Sequence, residues 1–437
     1  MTMQSSLKIA ILAKLEENLS TADTDQQKID LYLEVAERFG DSWAEKCIEI
    51  CNDCLELAEK IGDLERKGIA LNLKGHALIS LNKYDEALEI LTEAKAIFTD
   101  EVENIRHTFT NSYQFGRLNL FIGDLIRAQS FNINCLEIAE KLEDDDLILS
   151  ACARLALTAY KQGDISQAKL HIIKGLSADN EASTISHGHF YNVVGIVYNN
   201  LEIYDKSLSY YKKSLDIWTR TGYDHYAGYV YNNMGIVYQN KKDHERAKTY
   251  YEKAIEWFKE TEDNRNFALT YCNLGENLQL VGKHDEAIKY FKIALEMCET
   301  LQDKYQIANA NYYLALSYFE IKKPTNLIKK HLDTALVLSN EINNKLLSKF
   351  AFELYSKLHL IEQDIPQALE YQTKLLEIND EISKKNLVEV KQSHDEMEKK
   401  IDHIKSENSE MKSRMSNVEN LLAKTFEELQ KISQKLG

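Results

Sequence analysis

VVGIVYNNLEIYDKSLSYYKKSLDIW (193–218) lies over NMGIVYQNKKDHERAKTYYEKAIEWF (233–258) with a shift of 40, and NLGENLQLVGKHDEAIKYFKIALEMC (273–298) follows at the next 40. Self-similarity at a fixed period of roughly 20–50 residues marks a stacked repeat array. In each copy a small residue on one segment is followed twelve positions later by a second: Gly195 and Ser207, Gly235 and Ala247, Gly275 and Ala287. Working outward, the pair recurs as Gly75 and Ala87, Gly116 and Ala128, Ala156 and Ala168, Ala315 and Leu327, and Ser356 and Ala368, with Val35 and Cys47 as a degenerate first copy. Nine units result between about Leu7 and Ile378.

Each unit reads as two antiparallel amphipathic helices. Turns such as KKDH (241–244) and GKHD (282–285) separate the helices of a unit, and TGYD (221–224) and TEDN (261–264) separate one unit from the next. A small residue is expected where the two helices approach most closely. No unit covers its apolar face alone, so neighbours must stack.

Composition agrees. With 437 residues the chain is too long for one compact core, and only two prolines and 16 glycines interrupt it, which favours long helices over a turn-rich β fold. No run of 18 apolar residues exists, and the N-terminal segment lacks the pattern of a signal peptide, so a cytoplasmic protein is expected. Seven scattered cysteines read as reduced thiols. The net charge is −16; residues 380–437 carry 11 basic and 12 acidic side chains, or −1, which leaves −15 on the remainder. Such a surface repels a phosphate backbone, so no direct nucleic-acid partner and no membrane partner are expected.

Gly235, Tyr238, Ala247, Tyr251 and Ala254 follow the small–aromatic–Ala–aromatic–Ala spacing of the tetratricopeptide repeat, and the chain resembles that family. Its 40-residue period is similar to the long-helix subclass of kinesin light chains, GoLoco-binding adaptors and many bacterial signalling proteins. The proline that usually closes the second helix is replaced by pairs such as Gly62-Asp63. The resemblance implies an all-α, right-handed superhelix of about nine helical hairpins over 1–378, with the first helices lining a concave groove.

From 379 to 437 the pattern narrows to a single stripe in steps of three and four: Leu387, Val390, His394, Met397, Ile401, Ile404, Asn408, Met411, Met415, Val418, Leu422, Thr425, Leu429, Ile432 and Leu436. So narrow a stripe suits a long coiled-coil helix, and Asn408 at an a position favours a parallel homodimer. A solvated helix docked on its own array is the alternative.

Cys47, Cys51 and Cys54 share a helix face and could suggest a metal site, but they coincide with core positions held elsewhere by Ala247, Tyr251 and Ala254. His187 and His189 form a close pair without an evident third ligand, and His244 and His284 read as exposed turn residues. Neither a P-loop, a dinucleotide-binding glycine motif, a zinc-binding His-Glu-x-x-His nor a nucleophile elbow is present, so no catalysis, metal or cofactor is expected.

The resemblance places groove-facing residues three before, one after, and four to five after each small residue. Those positions hold Asn72, His76 and Arg117 early in the chain. They then hold Asn192, Asn199, Asn200, Asn232, Gln239, Asn240, Glu276 and Gln279, with Asn233, Asn273 and His189 nearby. A carboxamide can donate to and accept from a peptide backbone at once, so a ladder of them suits a protein or peptide ligand. It equally suits bonds between neighbouring repeats. Paired basic residues for clamping a C-terminal carboxylate are absent from these positions. The expectation is a non-enzymatic interaction scaffold that captures a partner between about 187 and 320 and dimerises through its tail. The alternatives are a sensory module whose output domain follows Gly437 and a receptor for short quorum-sensing peptides.

Overall fold

The structure, a computed structural model, describes residues 3–40, 43–102, 104–180, 182–221, 223, 226–261 and 263–381. The expected coiled-coil positions, from Leu387 to Ile432, lie outside the described residues.

The described chain is all helix and turn, without strands. The first half comprises α1 (Met3–Thr21), α2 (Asp25–Phe39), α3 (Ala44–Ile61), α4 (Leu64–Ser80), α5 (Tyr84–Ala96), α6 (Ile105–Ile122), α7 (Leu125–Lys141), α8 (Asp145–Gln162) and α9 (Ile165–Ser177). The second half comprises α10 (Ile185–Asn200), α11 (Tyr204–Thr221), α12 (Ala227–Asn240), α13 (His244–Thr261), α14 (Asn264–Leu280), α15 (His284–Thr300), α16 (Lys304–Glu320), α17 (Thr325–Glu341) and α18 (Lys345–Ile361). A further helix, α19, covers 365–381. Helix α1 precedes the series, and α2 to α19 pair as successive hairpins whose first helices carry the small-residue markers from Val35 to Ser356.

Local chemistry sets the boundaries. Asp63, Asp144, Asp263, Asp303 and Asn344 each accept a backbone N–H three residues on, and so cap the first helices α4, α8, α14, α16 and α18. Each such cap contributes about 1 kcal/mol. The turn inside a hairpin needs one left-handed residue. Gly282 fills it at φ +77° without strain, whereas Lys242 fills the matching place at φ +61°.

The close approach falls somewhat differently from expectation. In the units of Gly195, Gly235 and Gly275, what presses on the small residue of the first helix is an aromatic ring of the second, more than its alanine; at Gly75 it is Leu91 and at Gly116 it is Asn132. A Cβ on Gly235 would stand 2.6 Å from the ring of Tyr251, and Gly195 and Gly275 face Tyr211 and Phe291 in the same way. Tyr211, Tyr251 and Phe291 are fully buried. Gly235→Ala is therefore expected to cost about 1–3 kcal/mol in overpacking, more than the ~1 kcal/mol that alanine returns in helix propensity. A lower urea midpoint for the helical signal would show it; an unchanged midpoint would mean the ring yields freely.

The three cysteines of α3 lie in the core: Cys47, Cys51 and Cys54 are at most 1% exposed. Burial pushes the Cys54 thiol up to about 12. Among the described residues no group of three or more His, Cys, Asp and Glu is arranged to hold a metal. No described helix is long and apolar enough to cross a membrane.

The array also curls back on itself. Arg265, at the start of α14, donates from Nη1 to Asn82 Oδ1 (2.7 Å) and to the Tyr84 hydroxyl (3.1 Å), both at the α4–α5 turn. Its guanidinium lies 5.3 Å from the Phe121 ring centre, at the end of α6, and its Nε is 3.2 Å from Asp303. Burial and the nearby Arg265 charge also hold the Lys161 ammonium, on α8, below its ordinary range. Helix α1 meets α13 in the same closure.

Candidate functional site

The carboxamides form pairs between neighbouring units. Asn233 Nδ2 donates to Asn192 Oδ1 (3.1 Å), Asn273 to Asn232 (2.8 Å) and Asn240 to Asn199 (3.1 Å). Asn111 donates to Asn72 in the same manner (2.8 Å), and Gln279 reaches the Ser317 hydroxyl of the next unit (2.8 Å). Arg117 likewise donates to Ser80, and Gln114 meets His76. Tying repeats together is thus a geometric property of the ladder. An amide has two N–H groups and two lone pairs, and each of these pairings uses one of them per residue.

Of the expected groove residues, Asn273 and Glu276 line a defined cavity. It has a volume of about 260 Å³ and is walled by three consecutive first helices. Helix α14 supplies Leu269, Cys272, Asn273 and Glu276; α16 supplies Tyr305, Gln306, Asn309, Tyr312 and Tyr313; α18 and its cap supply Asn344, Leu346, Leu347 and Phe350. A second, more open depression, between α1 and α2, is bordered by Asp23, Asp30 and Glu34 and has no aromatic wall.

The walls are ordered by stacking. Tyr312 stacks on Phe350 with ring centres 5.8 Å apart, and Tyr313 lies nearly parallel to Phe291 at 5.3 Å. Burial raises the Glu276 carboxyl above the usual range, against the opposing influence of the neighbouring Tyr313 hydroxyl and Gln239 carboxamide. Desolvation outweighs those two groups because it penalises the charged form. Burial also pushes the Tyr312 phenol up to about 12. Gln239 accepts from Tyr251 through Oε1 (3.0 Å), which links the acid to the aromatic core below it.

Other expected residues fall elsewhere. Asn200 and Asn240 are exposed at the ends of α10 and α12. His189 packs edge-on against Trp218 and Tyr226, at 5.5 and 4.6 Å, away from the cavity. His187 is fully buried, with Nδ1 2.7 Å from the Thr184 hydroxyl and Nε2 3.3 Å from Asp179. His244 and His284 are half-buried rather than exposed, and His244 Nδ1 meets Asn277 of the next unit at 2.9 Å.

The α16 and α18 lining was outside expectation, although a signal for it existed. Asn309 and Phe350 stand six before their small residues, as do Leu269 and His189. Following that one position through the units leads to the cavity.

Models of the tetratricopeptide repeat match residues 188–260, 226–300 and 266–326, and a second such model matches 69–98. The chain thus carries tetratricopeptide repeats in these segments. No curated protein sequence matches it. Among solved structures the fold is shared by the apo form of the quorum sensor NprR from B. thuringiensis. That likeness has a TM-score of 0.54 at 14% identity, over 81% of this chain and 99% of that one. It is shared also by a Rap protein complexed with Competence and Sporulation Factor, with TM-score 0.52 and 18% identity over 73% and 99% of the two chains. The apo form of RapI gives 0.52 at 15% identity, over 82% and 98%. At such identities the likeness is one of fold.

Proposed function

We propose that this chain is an interaction module that captures a peptide segment on its concave side, at the cavity between α14, α16 and α18. The observation that carries this is the lining itself: carboxamides and one acid set among stacked aromatic rings, all presented by first helices. Whole small ligands occupy cavities of about 300–1,000 Å³. At 260 Å³ this one suits one or two side chains of a longer ligand. The heptad stripe of 379–437 would join two arrays, and dimerisation would add avidity.

A second reading is a sensory module in which capture alters the closure around Arg265 and the change is passed to the tail. The Arg265 contacts favour it, because they join helices far apart in the chain. The fold is also that of a quorum sensor and of a Rap protein complexed with Competence and Sporulation Factor, which is compatible with either reading.

Panning a displayed random-peptide library tests the site. The wild-type chain is expected to enrich a family of sequences, and Asn309→Trp, which fills the cavity from a half-buried position, to weaken them at least tenfold while keeping its helical signal. Equal binding to both proteins would move the function to another surface. An absence of any enriched sequence would overturn the peptide reading.

A further inference from the structure

Glu276 is the one acid lining the cavity. It lies between the units of Gln239 and Tyr313, polar neighbours that favour its charged form, and among the described residues no lysine, arginine or histidine pairs with it. A carboxylate can accept about four hydrogen bonds, so these two neighbours leave acceptor capacity on its oxygens. Its surroundings are π-faces: Tyr313 beside it, and Tyr312 stacked on Phe350 across the wall. Aromatic faces attract cations and disfavour anions. A buried carboxylate favours a partner that brings both opposite charge and N–H donors. The rest of the protein adds the same sign, since residues before 380 carry a net −15.

We infer that the cavity accepts a basic side chain, a guanidinium or ammonium group of the captured peptide, which pairs with Glu276 beside the rings of Tyr312 and Tyr313. This rests on the peptide-capture reading above and gives it a chemical class. The neutral asparagines of the lining, Asn273 and Asn309, then meet the backbone on either side of the basic residue. Burial raises the Glu276 carboxyl when the cavity holds no ligand, and an incoming cation reverses that by restoring charge complementarity. A ligand that instead accepted a hydrogen bond from neutral Glu276 would carry no positive charge at this position, so the two cases separate experimentally.

The test uses the peptides enriched on the full-length wild-type chain. Their aligned sequences are expected to share one arginine or lysine. A labelled peptide is then titrated in four combinations: wild type or Glu276→Gln, with arginine or its uncharged isostere citrulline at the shared place. Citrulline is expected to weaken binding to wild type at least tenfold and to Glu276→Gln less than threefold. Glutamine keeps the shape and can still accept from Tyr313, so the variant is expected to fold, and a circular dichroism spectrum matching wild type verifies that. Glu276→Asp provides a second variant, expected to keep the preference for arginine in weakened form. Enriched peptides without a shared basic residue, or an equal citrulline penalty on wild type and Glu276→Gln, would overturn the inference and leave peptide capture standing. If no peptides are enriched at all, it is the capture reading that falls, and the inference falls with it.

Discussion

Trp218→Ala is expected to lower stability by about 3–5 kcal/mol, the range for emptying a fully buried tryptophan site. Its indole, 1% exposed on α11, fills the space above Gly188 of α10, where an added Cβ would collide with the ring. It also contacts His189 and Tyr226, with the Tyr226 ring centre 5.1 Å away at the start of the next unit. One side chain therefore holds three elements together. Among the described residues the Nε1 group has no hydrogen-bond partner, so the loss is one of packing rather than of a polar contact. Stability in a stacked array is a sum of unit and interface terms, and removing Trp218 weakens both terms at one place. Urea unfolding followed by helical signal should show an earlier transition, and a split into two steps if the array parts at this unit. A loss below about 1 kcal/mol would mean that the site collapses around the cavity, at the mild end of such substitutions.

Arg265→Glu is the second large effect. The side chain carries the closure: two hydrogen bonds to the α4–α5 turn, a ring face from Phe121, and Asp303 beside its Nε. Asp303 is only 8% exposed in its side chain and also caps α16, so it cannot swing away without uncapping the helix. Reversal would set two carboxylates together at that spot. Breaking a buried ion pair costs about 3–5 kcal/mol; with Arg265 about one-third exposed, solvent screening brings the expectation to about 2–3 kcal/mol. Small-angle scattering should show a larger radius of gyration. An unchanged radius with unchanged stability would mean that the α1–α13 contact alone keeps the array curled.

How far the sequence reaches differs from residue to residue. The hairpins were legible because Gly195, Gly235 and Gly275 recur with their Tyr or Phe partners at a constant interval, and a nearest-neighbour fold needs little more. The carboxamide positions were legible for the same reason, since Asn192, Asn232 and Asn273 belong to one repeating frame. Their partners were not, because an amide gives no hint of whether it bonds the next repeat or a ligand. The cavity escaped notice for a different cause. Leu269, Asn309 and Phe350 share a position but no chemistry, so the repeat marks the place while the residue types there say nothing of a site. Arg265 was invisible altogether. Its contact with Asn82 depends on small rotations summed over several units, and no local pattern encodes that sum.

The closure also bears on the order in which the molecule assembles. Among the described residues, bonds between successive units span at most 42 residues, whereas Arg265 and Asn82 are 183 apart. Joining ends at that separation in an unfolded chain costs roughly 4–5 kcal/mol in loop entropy, more than two hydrogen bonds and a ring contact return. The clasp therefore forms only after the intervening hairpins have stacked and shortened the distance for it. By the same reasoning it is an early contact to open in the native state, and its release unfolds no helix. Amide exchange at the α4–α5 turn should consequently be faster than in the flanking helices, and a segment entering the concave side meets a ring that can part without melting.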